Sequence, residues 1–244
     1  MPETAVSLVK RLTPALSVGV LSANLMRLED DIATLAACGV GLLHFDVMDG
    51  HAAPALTVGP PFIKAVKTTM LKDIHLIIDK PYAVIPDYVT AGADVITIHV
   101  EGCRHPRAAL ELIGRSVNVN DPQRGILRGV AINPGTPVAA IAPLLDVIDL
   151  AVLVAVNPGF SGQKLAANTA GRFAELKKLV ADSGRAILVG IDGGVVHDNI
   201  EAIARLAPDY VVSGSALFSG GDLPAAVKKF HRILAALLIR REDV

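Results

Sequence analysis

The stretch L-L-H-F-D-V-M-D-G (residues 42–50) places a histidine and an aspartate two positions apart at the end of an apolar run. Side chains at positions i and i+2 of a strand point to the same face. His44 and Asp46 would therefore emerge side by side, as the ligands of a metal ion do. A hydrogen-bonded His–Asp pair at a strand end would have the same spacing, so the pair alone leaves both interpretations open.

Other apolar runs also carry polar side chains near their ends. His75 lies within D-I-H-L-I-I, and Asp192 follows I-L-V-G-I. Each has an ordinary interpretation, a hydrogen-bonded core histidine for His75 and a turn cap for Asp192. Together with the first pair they form an imidazole and carboxylate set that suits Zn²⁺, Fe²⁺, Mn²⁺ or Co²⁺. His99 and Glu101 offer a rival set, but we expect them mainly to support the site or to pack a loop.

Glycine-rich stretches follow three later apolar runs, G-F-S-G (159–162), G-G (193–194) and G-S (214–215). Glycine allows backbone N–H groups to approach an anion closely. Ordinary turns also use glycine, and this remains a fair interpretation of G-F-S-G. The other two pairs favour a phosphate site, because α/β barrels commonly bind phosphate after their seventh and eighth strands.

A metal site beside a phosphate site would suit a sugar phosphate with a ketone near the middle of its chain. A divalent cation polarises such a ketone and stabilises an enediolate. One carboxylate could remove the proton on the adjacent carbon, and another could return a proton on the opposite face. Asp46 and Asp192 are the candidates, and the reaction would be an epimerisation.

Short β-branched runs alternate with helical patterns along the chain. The predicted strands cover residues 17–22, 41–47, 73–78, 94–100, 129–133, 150–156, 186–191 and 210–213. The predicted helices cover residues 28–38, 61–70, 84–91, 106–115, 138–145, 166–183, 199–206 and 223–239. The strands are apolar on both faces, which is typical of covered parallel strands. The pattern predicts one (β/α)8 TIM barrel of the phosphate-binding type over residues 1–244, with residues 1–14 as an N-terminal extension.

Composition and missing motifs limit the alternatives. A doubly wound open sheet is the main rival, but no G-x-G-x-x-G follows the first predicted strand. A net charge of −1 and a pI of about 6.6 give no sign of nucleic-acid binding. No apolar stretch reaches the roughly 18 residues of a membrane span, and the N-terminus lacks the pattern of a secretory signal. Cys38 and Cys103 form no disulfide framework or zinc motif, so we expect a soluble cytoplasmic protein.

Several longer motifs occur in a characteristic order. They are L-S-A (21–23), L-H-F-D-V-M-D-G-H (43–51), H-L (75–76), A-G-A-D-V-I-T-I-H-V-E (91–101), V-N-P-G-F-S-G-Q-K (156–164), D-G-G (192–194) and S-G-S-A-L-F (213–218). In content and order the sequence resembles the ribulose-phosphate 3-epimerase family, from about residue 16 to about residue 230. The resemblance implies a (β/α)8 barrel that interconverts D-ribulose 5-phosphate and D-xylulose 5-phosphate. It also implies one divalent metal ion per subunit and a homo-oligomer.

The resemblance further implies roles for individual residues. It assigns the metal ion to His44, Asp46, His75 and Asp192, and acid/base catalysis to Asp46 and Asp192. The residues that it assigns to substrate binding are Ser22, His75, Gly159, Phe160, Ser161, Gly162, Gly193, Gly194, Gly214 and Ser215.

The sequence departs from the family pattern in the expected walls of the pocket. A-A-P-A (52–55) stands where Phe-Val-Pro-Asn is usual, Ile77 and Val154 replace methionines, and Asn24 replaces an aspartate. None of these changes removes an acid, a base or a metal ligand. They bear on the substrate, which could be another ketose phosphate such as D-allulose 6-phosphate.

Two other functions are less consistent with the sequence. A decarboxylase of the related barrels would carry D-x-K-x-x-D, and K-D-I-H-L-I-I-D (72–79) has no lysine between its aspartates. A non-catalytic sugar-phosphate-binding barrel would have no need to keep all four candidate ligands. Substitution of Asp192 by Asn discriminates between catalysis and binding alone.

Overall fold

Eight parallel strands, each hydrogen-bonded to its neighbours in chain order, close into a barrel. The computed structural model describes residues 4–160 and 162–236. The strands are β1 (Ala15–Gly19), β2 (Leu42–Met48), β3 (Leu71–Ile77), β4 (Val95–His99), β5 (Leu127–Ile132), β6 (Leu150–Val154), β7 (Leu188–Asp192) and β8 (Tyr210–Ser213). This closed barrel confirms the predicted fold.

Helices connect the strands on the outside of the barrel. They are α1 (Ala5–Arg11), α2 (Leu28–Ala37), α3 (Pro60–Ala65), α4 (Ile85–Thr90), α5 (Pro106–Arg115), α6 (Thr169–Asp182), α7 (Ile200–Arg205), α8 (Ser215–Phe218) and α9 (Leu223–Ala235). The predicted helix 223–239 corresponds to α9, and its last predicted residues lie outside the described part of the chain. Among the described residues, no helix is both long enough and apolar enough to cross a membrane.

Several predicted elements differ from the structure. The helix predicted over 61–70 is α3 and ends at Ala65, and the strand predicted over 150–156 is β6 and ends at Val154. The first strand ends at Gly19 rather than residue 22, and a 3-10 turn (Val20–Ser22) follows, with Ala23 N donating to Val20 O at 3.0 Å. The segment predicted as a helix over 138–145 is a 3-10 helix (Val138–Leu144). Pro143 lies inside it, lacks an N–H and clashes with the preceding turn, which disfavours a regular α-helix.

The two faces of each strand have different environments. In β2, Leu43 and Phe45 pack outward into the large cluster beneath the helices, whereas Leu42 belongs to the cluster inside the barrel. His44 and Asp46 share the inward face of Leu42 because strand side chains alternate. The interior is therefore apolar at the N-terminal end of the strands and polar towards their C-terminal end.

Helix α1 covers the N-terminal end of the barrel. Ala5 and Val9 are only 2% and 1% exposed and belong to the same interior cluster as Leu42. Thr4 caps the helix by accepting from Ser7 N, in a capping box that also uses the Ser7 side chain. The sequence analysis predicts no helix within residues 1–14, so α1 is an addition to it. The division into a domain and an extension stays a prediction.

We expect Val9→Ala to lower the free energy of unfolding by about 2 kcal/mol, because it removes buried methyl groups where α1 closes the barrel. Val119→Ala is the matched control, since Val119 is 54% exposed; its effect should stay within about 0.5 kcal/mol. Denaturant unfolding measures both values. Equal losses in the two variants would contradict the role of α1 as part of the core.

Candidate functional site

The four predicted ligand residues converge at the C-terminal end of the barrel. The register of β2 and β3 sets Asp46 beside His75, and Asp192 is the last residue of β7. One ligand atom from each of His44, Asp46, His75 and Asp192 lies within 4.8 Å of all the others. Residues from three separate strands thus form one compact group.

The two imidazoles face the two carboxylates at short range. His44 Nε2 lies 3.1 Å from Asp46 Oδ1 and 3.8 Å from Asp192 Oδ2. His75 Nδ1 lies 3.0 Å from Asp192 Oδ2 and 3.2 Å from Asp46 Oδ1. Both histidines are almost fully buried, so water does not screen these interactions strongly.

The other nitrogen of His44 contacts a third buried carboxylate. His44 Nδ1 lies 2.6 Å from Asp73 Oδ2, which also accepts from the hydroxyls of Ser17, at 2.7 Å, and Tyr210. Burial raises the pKa of Asp73, but the opposing effects of His44, Tyr210 and Ser17 are larger and lower it below its usual value. The ionised carboxylate can only accept, so His44 Nδ1 carries a proton. Burial lowers the pKa of His44, but Asp73 and Asp46 outweigh it and raise the pKa well above its usual value, so Nε2 is also protonated in the ion-free site. Loss of the Nε2 proton would leave a lone pair on that nitrogen for an ion.

The outer nitrogen of His75 begins a second chain of hydrogen bonds. His75 Nε2 lies 2.8 Å from His99 Nε2, and His99 Nδ1 lies 3.1 Å from Glu101 Oε2. The other oxygen of Glu101 accepts from Asn133 N at 2.8 Å and from the Thr136 hydroxyl. His99 and Glu101 therefore lie behind His75, as expected of supporting groups.

The donor set fits a divalent cation. Among the described residues, His75 Nδ1 is a buried atom with no hydrogen-bond partner of good geometry, although two carboxylates lie near it. Burial raises the pKa of Asp46, but His44 and His75 more than offset this and hold it well below its usual range, so its oxygens are anionic. Two imidazoles and two carboxylates are a ligand set that Zn²⁺, Fe²⁺, Mn²⁺ and Co²⁺ accept.

A cavity of about 540 Å³ opens above this group. Asp46, His75 and Asp192 line it, and so does Ser22, although β1 ends before that residue. The predicted glycine-rich segments also border it, with lining residues Gly159, Phe160, Gly162, Gly193, Gly194, Gly214 and Ser215. Ser161, which the sequence analysis also assigns to the substrate, lies outside the described residues.

Two of these glycines occupy positions that no other residue could take without strain. Gly193 has a φ of +88°, and a Cβ there would lie 2.5 Å from Val156 Cγ2. Gly159 has a φ of +118°, and its Cβ would lie 2.7 Å from Pro54 Cδ. The backbone therefore needs glycine at both positions to form the wall of the cavity.

Most of the chain, including all eight strands, matches a known protein family. The family model described as the ribulose-phosphate 3 epimerase family matches residues 15–218. The chain belongs to this family. It is therefore a carbohydrate epimerase, and the predicted family is confirmed.

Curated relatives agree with this assignment, and a solved structure agrees with the fold. The chain is 38% identical over 206 residues to ribulose-phosphate 3-epimerase from Serratia marcescens, with 83% of this chain and 94% of that protein covered. It is 34% identical over 215 residues to the Bacillus subtilis (strain 168) ribulose-phosphate 3-epimerase, with 87% and 95% covered. The crystal structure of 3-hexulose-6-phosphate synthase from Salmonella typhimurium has a TM-score of 0.61 at 19% identity, covering 91% of this chain and 99% of that one. At that identity the structural likeness shows the fold alone.

Sequence reasoning missed part of this epimerase site. Asp73 and Tyr210 contact His44 from behind and Ser17 donates to Asp73, yet none of the three is among the predicted site residues. Asp73 had a usable signal, because D-x-H (73–75) has the same i, i+2 spacing as H-x-D (44–46). Tyr210 had none, since its contact crosses the barrel from β8 to β3.

The charged state of the buried imidazoles predicts a pH dependence for the chelator-treated protein. Burial lowers the pKa of His75, but Asp192 and Asp46 outweigh it and raise the pKa to about 9, above the ordinary value of 6.5. The folded state therefore holds the proton more tightly, so the stabilisation is complete below pH 6.5 and is lost as pH rises through 9. We expect the melting temperature to fall by several degrees over this range.

Scanning calorimetry in chelator between pH 6 and 9.5 checks this result. His51→Gln is the control, because His51 is exposed and its substitution should leave the slope unchanged. A melting temperature that rises with pH over this interval would contradict the charged imidazoles.

Proposed function

We propose that the chain interconverts D-ribulose 5-phosphate and D-xylulose 5-phosphate by two-base proton transfer at C3. One observation carries the proposal. The carboxylates of Asp46 and Asp192 come from β2 and β7, line the same cavity and both lie near His75 Nδ1. Two carboxylates on different strands can serve the two faces of one carbon, as an epimerisation requires.

We assign His44, Asp46, His75 and Asp192 to one divalent cation, which is Zn²⁺, Fe²⁺, Mn²⁺ or Co²⁺. This assignment rests on their convergence and on His75 Nδ1, which lies near two carboxylates but has no hydrogen bond of good geometry. When bound, such an ion would stabilise the negative charge that develops on the substrate oxygens.

The proton steps use the two aspartates in turn. One carboxylate takes the proton from C3, and the electrons of the broken C–H bond pass into an enediolate. The other aspartate, in its acid form, gives a proton to the opposite face of C3, which yields the epimer. Burial raises the pKa of Asp46, but His44 and His75 outweigh it, so Asp46 is ionised in the ion-free site, the form that a base requires.

We assign the phosphate of the substrate to the glycine-rich wall. The residues concerned are Gly159, Phe160, Ser161, Gly162, Gly193, Gly194, Gly214 and Ser215. All of them except Ser161, which lies outside the described residues, line the cavity together with the two aspartates. Ser22 and His75 would contact the sugar. Homo-oligomerisation and a cytoplasmic location stay predictions.

A second candidate substrate is a hexulose 6-phosphate such as D-allulose 6-phosphate. Ala55, Ile77 and Val154 line the cavity at positions where the family usually carries larger or softer side chains. Ala52 and Ala53 lie on the same segment as Ala55 but do not line the cavity, and Ala53 is buried. Asn24 caps the short helix Leu25–Arg27 by accepting from Met26 N at 3.1 Å, a role in which Asn and Asp are equivalent.

Asp46→Asn and Asp192→Asn should each lower turnover by at least about 10²-fold, because an amide cannot accept the C3 proton. The measurement is NMR of deuterium incorporation at C3 of D-ribulose 5-phosphate in D₂O at saturating Zn²⁺. Wild-type exchange should accompany D-xylulose 5-phosphate formation and should stop when a chelator is added. Asp182→Asn is the matched control, since Asp182 ends α6 at the opposite end of the barrel, and should behave as wild type.

The outcomes separate the alternatives. Turnover that survives Asp192→Asn would refute the two-base assignment. A wild-type protein that binds the sugar phosphate and Zn²⁺ but exchanges no deuterium would favour a non-catalytic binding barrel or another ketose phosphate.

The double substitution Ile77→Met and Val154→Met should narrow the cavity, because methionine is larger than valine and reaches further from the strand than isoleucine. We expect it to lower kcat/KM for D-allulose 6-phosphate at least about tenfold more than kcat/KM for D-ribulose 5-phosphate, because a longer chain needs the removed volume. Coupled assays on both substrates give the ratio. Leu179→Met, on the outer face of the barrel, is the control. If the double substitution lowers kcat/KM equally for both substrates, Ile77 and Val154 do not determine which sugar chain length the site accepts.

A further inference from the structure

We propose that Asp73 and Tyr210 are positioning residues that fix the tautomer and the ring of His44, and so set the affinity of the site for its metal ion. The proposal rests on the proposed function, since it takes His44 as a ligand. Neither residue lines the cavity, so both would act through His44 rather than on the substrate.

Three donors converge on one oxygen of Asp73. His44 Nδ1 lies 2.6 Å from Oδ2, Ser17 Oγ donates to it at 2.7 Å, and the Tyr210 hydroxyl donates to the same atom. Asp73 is 0% exposed, so these contacts hold its carboxylate in a single orientation within the barrel. The Tyr210 hydroxyl is also 3.3 Å from His44 Nδ1, which closes the group into a triangle.

This arrangement determines which nitrogen of His44 is available to an ion. A neutral imidazole carries one proton, and the carboxylate of Asp73 keeps it on Nδ1. The lone pair is then on Nε2, which faces Asp46 Oδ1 at 3.1 Å. An acceptor behind a ligand histidine fixes the ring and increases the basicity of the ligand nitrogen.

The absence of a side chain at Gly190 leaves space for the ring of Tyr210. Gly190 is its register partner on β7, and a Cβ at Gly190 would lie 2.6 Å from Tyr210 Cδ1. The aromatic ring therefore lies in the barrel interior where the neighbouring strand has no side chain. Ser17, Asp73 and Tyr210 come from β1, β3 and β8, so three strands hold the histidine of β2.

The test is Zn²⁺ affinity of the full-length protein, measured by competition with a chromophoric chelator. Asp73→Asn should raise the Kd for Zn²⁺ by about 10- to 100-fold. Tyr210→Phe should raise it by a smaller factor, because Asp73 keeps two of its donors. If Tyr210 acts through Asp73, the double variant should bind Zn²⁺ no more weakly than Asp73→Asn alone.

Two buried residues elsewhere provide matched controls. Asp94 is 2% exposed and pairs with Arg124 at 2.7 Å just before β4, and Tyr88 is 5% exposed on α4. Asp94→Asn should lower the melting temperature, and both Asp94→Asn and Tyr88→Phe should leave the Kd for Zn²⁺ within twofold of wild type. These controls distinguish a general loss of core packing, which lowers only the melting temperature, from a loss of His44 positioning, which also raises the Kd for Zn²⁺.

An unchanged Kd in Asp73→Asn and Tyr210→Phe, with a lower melting temperature, would overturn the proposal and leave the proposed function intact. If Asp73→Asn does not fold, Tyr210→Phe and Ser17→Ala serve as the test, and an unchanged Kd for Zn²⁺ in both variants would overturn the proposal. A wild-type protein that binds no Zn²⁺, Fe²⁺, Mn²⁺ or Co²⁺ would instead refute the metal site itself, and the positioning role with it.

Discussion

The buried contact between His44 Nδ1 and Asp73 Oδ2 is the interaction on which the polar interior of this barrel depends. An isolated carboxylate in an apolar interior costs several kcal/mol, so Asp73 could not be fully buried without a cationic or donating partner. The same imidazole faces Asp46 with its other nitrogen. One histidine therefore links a carboxylate that only supports the site to one that lines the cavity.

The parallel register of β2 and β3 extends this pairing. The sequence H-x-D on β2 lies beside D-x-H on β3, so His44 is level with Asp73 and Asp46 is level with His75. Each level thus holds one imidazole and one carboxylate, and charge is balanced locally. A slip of one residue would turn one strand's polar side chains towards the helices, where Leu43 and Phe45 now pack, so the hydrophobic pattern also fixes the site.

The sequence predicts those features that depend on neighbours along the chain. The inward direction of His44 and Asp46 follows from strand alternation, and the barrel follows from eight repeated strand–helix units. Contacts that depend on register or on the far side of the barrel are not predictable in this way, and Tyr210 is the clearest case. Local exceptions are also missed. Pro143 converts a periodic apolar pattern into a 3-10 helix, and α1 is a helix of only seven residues, too short for its pattern to be evident.

Two departures from the family pattern lie beside the candidate ligand residues rather than beneath them. Ile77 is two residues beyond His75 on the same face of β3, and Val154 is the register partner of Asp192. Both are apolar, so a change of size there alters the volume above the carboxylates and leaves the charge pairing below untouched. The buried aspartates are held by hydrogen bonds and ion pairs to His44 and His75, and the wall is held by van der Waals contacts, so side chains of the wall can change in size while the polar group stays fixed.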